Sequence, residues 1–242
     1  MYLLVDIGNT STKWMATDED WQPRNGGILT EEGWHAVVEQ TAAEKAIVCA
    51  TGRADHHIEE LKSLGVEVWQ IDAESVVKYG GLNGIDYSTP ATLGQDRIAA
   101  ACGAWLEWGR PCVVIDAGTC ITIDFIDAQG VFRGGAILPS AELQLMAMHQ
   151  HTARLPLPEI DYTAYYQPLG RSTKEALLDG AICGTRYAVE GIVEHYRRQN
   201  SDIAVVYTGG VGEFICSQMT DAVYCSNLVF KGLAAVGKIG MV

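Results

Sequence analysis

The chain has 242 residues, enough for one large domain or two small ones, and its apolar fraction of 48% with only 7 prolines argues against disorder. Its 17 lysines and arginines against 30 aspartates and glutamates give a net charge of −13, so the surface repels nucleic acid and anionic membrane, and any anionic ligand must be held by local groups. The 7 cysteines (Cys49, Cys102, Cys112, Cys120, Cys183, Cys216, Cys225) form no C-x-x-C pair, which speaks against a disulfide framework or a zinc site and for reduced core thiols in a cytoplasmic protein.

In chain order, the opening Met1-Tyr-Leu-Leu-Val-Asp6 has no basic lead and is read as a strand rather than a signal peptide. No later apolar run approaches the ~18 residues of a membrane helix. Tyr2–Gly8 is a strand ending in Asp6-Ile-Gly-Asn-Thr10, and Lys13–Ala16 is the strand after its turn. Next come a third strand near Gly27–Leu29, a helix over about 31–43, a strand at Ala46–Thr51, a helix over about 56–64, a strand at Val66–Ile71 and a helix near Ile98–Trp108. Cys112–Gly118, ending in Asp116-Ala-Gly-Thr119, restarts the same order. It continues through Cys120–Ile126, Val131–Leu138, helical stretches over about 141–152 and 172–198, a strand at Ile203–Thr208, a helix over about 211–219, a strand at Ala222–Cys225 and a final helix after Asn227. Ser172-Thr-Lys-Glu175 is predicted to open the long helix as a capping box. Both halves therefore run βββαβαβα, with their leading aspartates 110 residues apart, the size of a small domain. The expectation is an α/β protein of two duplicated lobes, 1–110 and 111–242, each a mixed sheet with helices on both faces, and a ligand cleft between them. One apolar strand ending in Asp-x-Gly is common in α/β proteins; two in matching surroundings carry the inference.

Both Asp-x-Gly loops suit phosphate. Gly8 and Gly118 are expected to reverse the chain with positive φ and to bring backbone N–H groups close to an anion. Asn9, Thr10, Thr12 and Thr119 add donors, and Lys13 adds a charge if its strand aims it inward. Asp6 and Asp116 would repel phosphate, so cations must lie between, and hard carboxylate oxygens suit Mg²⁺ held through water. Neither a Walker loop nor G-x-G-x-x-G occurs, which removes two common nucleotide folds. Thr208-Gly209-Gly210-Val-Gly212 follows a strand and precedes a helix, a turn through which backbone can approach adenine or ribose. The loop Tyr87-Ser-Thr-Pro-Ala-Thr-Leu-Gly94-Gln95-Asp96-Arg97 runs into a helix; taken alone, Asp96 is a cap or first-turn acid and Arg97 is solvated. His56-His57 and His149-x-His151 lack the acids or thiols that would complete a metal shell, so they are read as helix-surface residues.

Asp6-Ile-Gly-Asn-Thr10, Gly94-Gln-Asp-Arg97, Asp116-Ala-Gly-Thr119, Gly134-Gly-Ala-Ile-Leu-Pro139, Thr208-Gly-Gly210 and the tail Asn227-Leu-Val-Phe-Lys-Gly-Leu233 together resemble type III pantothenate kinase, of the acetate and sugar kinase, Hsc70 and actin superfamily. Ser140 departs from the glycine usual at that position. The resemblance implies ribonuclease H-like lobes with an interlobe nucleotide cleft, and phosphorylation of pantothenate by ATP to 4′-phosphopantothenate, the entry to coenzyme A. It implies that Asp6, Ile7, Gly8, Asn9, Thr10, Ser11, Thr12, Lys13 and Thr119 hold ATP, joined by Gly209 and Gly210 at the adenosine. Tyr87, Gly94, Gln95, Asp96, Arg97 and Thr173 then line the pantothenate pocket, and Asp116 is similar to the residue that binds K⁺ or NH₄⁺. The family is dimeric with pantothenate near the interface, so Thr173 is expected near the neighbour's site. Asp96 is the candidate general base; the alternative, Asp6, sits beside Gly8 and Asn9 and is better placed to organise Mg²⁺. Arg97 can neutralise either the substrate carboxylate or the phosphoryl group. Two further readings stay open at this level: an acetate-type or sugar kinase, and a nucleotide-binding accessory factor without catalysis.

Overall fold

The computed structural model describes residues 1–52, 54–217 and 219–241. It is an α/β fold with two mixed sheets, one of five strands in the order β3-β2-β1-β4-β5 and one of six in the order β11-β10-β7-β8-β9-β6. The strands are β1 Tyr2–Ile7, β2 Thr12–Thr17, β3 Pro23–Ile28, β4 Lys45–Ala50, β5 Glu67–Gln70, β6 Gly84–Ile85, β7 Cys112–Ala117, β8 Cys120–Ile126, β9 Val131–Pro139, β10 Ala204–Thr208 and β11 Val223–Tyr224. The helices are α1 Gly33–Thr41, α2 Asp55–Ser63, α3 Ala73–Tyr79, α4 Gln95–Trp108, α5 Ala141–His151, α6 Thr173–Gln199, α7 Gly212–Cys216 and α8 Leu228–Gly240. The chain divides into two compact units, one of Met1–Arg110, Ile126–Gly134 and Asn227–Val242, the other of Pro111–Phe125 and Gly135–Ser226.

In the first unit β1 runs antiparallel to β2 and parallel to β4. Period-2 alternation sends Leu3, Val5 and Ile7 to one face, where they pack with Trp14, Ala16, Trp34, Val37, Val48 and Leu61 under α1 and α2. Each fully buried Val, Leu or Ile among them contributes about 1.5–3 kcal/mol. Leu4 and Asp6 therefore point to the opposite face, where α8 packs on β1 and β4 and α4 packs along α8. The two helices approach closely because Gly103 and Gly232 carry no Cβ: one at Gly103 would meet the Leu228 carbonyl oxygen, and one at Gly232 the Ala99 carbonyl.

Two elements of this unit were not expected from the sequence. Helix α3 opens on a capping box in which Asp72 accepts the Ser75 N–H and the Ser75 hydroxyl accepts the Asp72 N–H, both at 2.8 Å. Strand β6 is only two residues, paired parallel with the start of β9. Both are too short to leave a periodic signal.

In the second unit β7 and β10 run parallel, with Asp116 opposite Thr208. Val113, Ile115, Ile121, Ile123, Val189, Val193, Val205 and Tyr207 form its core, with a further cluster between α5 and α6. The capping box predicted at Ser172 is modified: Ser172 accepts the Glu175 N–H at 3.2 Å, but Glu175 returns to the Arg171 N–H at 2.7 Å rather than to Ser172. The Ser140 side chain caps α5 by accepting the Leu143 N–H at 3.2 Å.

Candidate active site

Asp6 is the penultimate residue of β1, and the Gly8 N–H donates to the Ser11 carbonyl at 3.1 Å to close the turn into β2. This turn corrects one expectation, since neither Gly8 nor Gly118 has positive φ. What Gly8 supplies is room: a Cβ there would stand 3.0 Å from the Ser11 carbonyl oxygen, whereas one at Gly118 would only touch the Cys120 carbonyl at 3.7 Å. Asp6 lies directly opposite Lys13 in the ladder, so both side chains share a face and the strand does aim the lysine beside the acid. Ile7 buries its side chain in the core and offers only backbone, with its carbonyl accepting the Thr51 N–H at 3.0 Å. Asn9 and Thr10 are exposed. With Gly8, Ser11, Thr12, Ile28, Leu29 and His57 they line an open cavity of about 330 Å³.

The second acid comes from α4. Gly94 is its N-cap residue, and a Cβ there would stand 2.6 Å from Asp96 Oδ1, so glycine leaves the space the carboxylate fills. Asp96 Oδ1 accepts the Arg97 N–H at 2.8 Å, a first-turn position that suits an acid. Asp6 and Asp96 lie close enough to interact. Burial, then the charge of Asp96, pushes the Asp6 carboxyl up, with a Cys49 hydrogen bond and Lys13 acting against them. Burial likewise raises Asp96, opposed by the Arg97 N–H and the Arg97 charge. Cys49, the parallel-strand neighbour of Asp6, has its Sγ 3.4 Å from Asp6 Oδ1, and burial keeps the thiol protonated as the donor.

Gln95 turns back to the sheet: its Oε1 accepts the Ala50 N–H at 2.9 Å and Gln70 Nε2 at 3.3 Å, fixing the start of α4 to the end of β4. Arg97 is buried rather than solvated, with its guanidinium carbon 5.8 Å from the ring centroids of both Tyr87 and Phe132. Tyr87 lies beside Gly134, where a Cβ would make only ordinary contact with the ring at 3.4 Å, so it is the φ of +88° that calls for glycine. Next to it Arg133 bridges Asp86 at 2.7 Å and Asp127 at 2.6 Å. Phe132, Cys49 and His57 escaped the sequence reading because their proximity comes from strand register and helix packing, not from spacing. His57 is not the plain surface residue expected: it is half-buried against the Asp6 loop.

In the second unit the Asp116 loop and the Gly209-Gly210 turn come together. Gly209 has φ +87°, and a Cβ there would meet Asp116 Oδ1 and the Ala117 carbonyl. The Val211 N–H donates to the Ala117 carbonyl at 3.1 Å, and the Tyr224 hydroxyl donates to the Gly209 carbonyl at 3.1 Å. Gly210 and Thr119 are exposed beside this junction. Thr173, the first residue of α6, is exposed and lines a separate open cavity of about 460 Å³ with Gln144, Met148, Leu155 and Leu177. Among the described residues no cluster of three His, Cys, Asp or Glu could hold a metal by itself, and no helix is long and apolar enough to cross a membrane.

The fold covers almost all of two solved structures. One is a protein assigned to the Baf family of transcriptional activators from Campylobacter jejuni (TM-score 0.67, 22% identity, 98% of this chain and 97% of that one). The other is an activator of 2-hydroxyisocaproyl-CoA dehydratase from Clostridium difficile with bound ADPNP (TM-score 0.53, 14% identity, 97% and 92%). Two mixed sheets define the class as an α/β fold, and these two structures share it. The type III pantothenate kinase profile matches residues 2–195. Type III pantothenate kinases of Bacteroides fragilis and Methylacidiphilum infernorum are 32% identical over 241 residues (96% of each chain) and 33% over 245 residues (98% of this chain, 88% of that one). That of Flavobacterium johnsoniae is 39% identical over 150 residues, 61% of each chain. The chain belongs to the type III pantothenate kinase family. Its activity is pantothenate kinase, an ATP-using step of coenzyme A biosynthesis, which decides against both the sugar or acetate kinase and the non-catalytic accessory factor.

Proposed function

We propose that Asp96 is the general base of this reaction and that the Asp6 loop holds the phosphates of ATP. The observation that carries the reading is the neighbouring pair Asp6 and Asp96, two carboxyls raised by burial, one near the end of the strand that leads into the Gly8–Thr12 cavity and one at a helix N-terminus. A buried base with a raised pKa accepts a proton more readily than a solvated one. As the primary hydroxyl oxygen of pantothenate bonds to the γ-phosphorus, its proton passes to the Asp96 carboxylate and the bond to ADP breaks. Gly94 leaves room for that carboxylate, and Gln95, with its amide oxygen spent on Ala50, keeps α4 in register and offers its amide nitrogen to substrate. Tyr87 is assigned to the pantothenate contacts, and Thr173, in the second unit, to those of a neighbouring copy. Arg97, desolvated between two rings, supplies a charge for either the carboxylate or the phosphoryl group.

Asp6, Ile7 (through its backbone), Gly8, Asn9, Thr10, Ser11, Thr12 and Lys13 form the phosphate cradle in this reading; of the second unit, Thr119, Gly209 and Gly210 are assigned to ATP. Asp6 fits Mg²⁺ held through water: Mg²⁺ needs one or two carboxylates beside substrate phosphates rather than a protein cage. Its charge would neutralise the phosphates and relieve the Asp6–Asp96 repulsion. Asp116 is assigned a monovalent cation, K⁺ or NH₄⁺. In functional terms residues 1–110 bring the first phosphate loop and the acceptor loop, and residues 111–242 the second phosphate loop and the adenosine loop. The test is ADP release coupled to added pantothenate, with and without K⁺. Release should require both, and turnover independent of K⁺ would remove the cation assignment while leaving the kinase.

The proposal extends to a homodimer. Gly180, Gly184 and Gly191 lie inside α6 at spacings of four and seven, on one face, and a Cβ on any of them would meet nothing within 4 Å. Each costs about 1 kcal/mol of helix stability relative to alanine, and nothing in this chain's own packing repays it. Close approach of a second copy would. Gly184→Trp should convert dimer to monomer in sedimentation with little change in helix content; an unaltered sedimentation coefficient would place the dimer contact elsewhere.

A further inference from the structure

The reaction as described leaves one polar side chain of the Asp6 loop cavity without a role. His57, on α2, lines that cavity. Its Nδ1 lies 3.2 Å from the indole nitrogen of Trp34, and its Nε2 lies 3.4 Å from Thr12 Oγ1. Trp34 is fully buried, and an indole N–H can only donate. His57 Nδ1 must therefore be the acceptor, so the ring is neutral with its proton on Nε2. The Nε2–H in turn can only donate, and Thr12 Oγ1 accepts it. The threonine hydroxyl has one proton of its own, which this arrangement turns away from His57.

The same contact holds the supporting helices in place. The Trp34 backbone N–H donates to Glu60 Oε1 at 3.1 Å, so α2 grips the start of α1 through both His57 and Glu60. Burial, and then His56, push the His57 ring away from protonation, with Glu60 acting against them. Protonation would also strand the buried indole N–H, which costs more than an ordinary lost hydrogen bond. The chain Trp34–His57–Thr12 thus ties a ligand-facing hydroxyl to the hydrophobic core.

We propose that His57 is a positioning residue of the nucleotide loop: by donating to Thr12 Oγ1 it aims the Thr12 hydroxyl proton at a phosphate oxygen of ATP. The inference rests on the assignment of the Asp6 loop to ATP and is separable from it, because binding of ATP to the wild-type chain is measured first. If the wild type binds no ATP, the loop assignment fails. If it binds, the variants test His57.

His57→Leu removes both hydrogen bonds and should weaken ATP binding and raise KM for ATP by about 5- to 10-fold, with kcat and KM for pantothenate within twofold. His57→Gln, whose amide can accept from Trp34 and donate to Thr12, should recover most of that loss. In the Thr12→Val background His57→Leu should add little, since the two act through one hydrogen bond. Equal ATP affinity in wild type and a folded His57→Leu would overturn the proposal, as would a loss confined to kcat. Should His57→Leu fail to fold, ring nitrogen NMR of the wild-type chain still decides. A neutral His57 with a protonated Nε2 and bare Nδ1 is expected, and the opposite tautomer, or a charged ring at neutral pH, would end the argument.

Discussion

Asp96→Asn is expected to lower kcat by about 100-fold or more while ATP still binds, because the amide keeps the shape of the carboxylate and cannot take the hydroxyl proton. The Arg97 N–H can still donate to the Asn oxygen as it does to Asp96 Oδ1, so the start of α4 should not shift. The acid limb of the wild-type profile should lie above the ordinary aspartate value, since burial raises the carboxyl that must be ionised to act. Stability runs the other way. A carboxyl raised on folding contributes stability that is complete below its unfolded pKa and lost as pH rises through the folded one. At neutral pH Asp96 is therefore a burden on the fold, made heavier by the charge it presses on Asp6. Asp96→Asn should raise Tm at pH 7, with the gap to wild type closing as the pH falls through the raised carboxyl pKa. Near-normal turnover in the variant would show that Asp96 is not the base, and a Tm below wild type at neutral pH would show that the charge is better compensated than the pair implies.

The strand-led repeat was legible because short apolar runs mark β1 and β7, alternation marks β8, and Asp-x-Gly punctuates both first turns. The geometry of those turns was not. Positive φ was expected at Gly8 and Gly118; among the glycines of the motifs it occurs instead at Gly134 and at Gly209, where a Cβ would also collide with the Asp116 carboxylate. Sequence shows that a glycine is present; which constraint it answers depends on what packs over it. Arg97 shows the same limit, since the rings that bury it come from residue 87 on one side and residue 132 on the other. His57 looked like half of a surface pair because helical spacing carries no information about Trp34, more than twenty residues earlier. Asp96 could be singled out as a candidate because Gly94-Gln-Asp-Arg97 is contiguous, and contiguity is what motif reasoning can see.

Gly232→Val is expected to cost about 3 kcal/mol or more of folding stability, toward the upper end for core overpacking. A Cβ at 232 would overlap the carbonyl oxygen, carbonyl carbon and Cα of Ala99, all backbone, so no rotamer change relieves it and α4 and α8 must separate. Even Gly232→Ala should be felt, unlike the usual mild gain from replacing a helix glycine. The strain reaches the active site because α4 is the helix whose first turn holds Asp96, pinned at the other end of the contact by Gln95 on Ala50. If α4 moves as a rigid rod, Gly232→Ala should reduce kcat more than it weakens ATP binding, since the Asp6 loop is held by β1, β2 and α2 rather than by α4. Urea denaturation and steady-state kinetics on the same preparation separate the two effects. A Gly232→Ala protein with wild-type midpoint and wild-type kcat would mean that the helix pair has slack, and that the close crossing does not set where Asp96 stands.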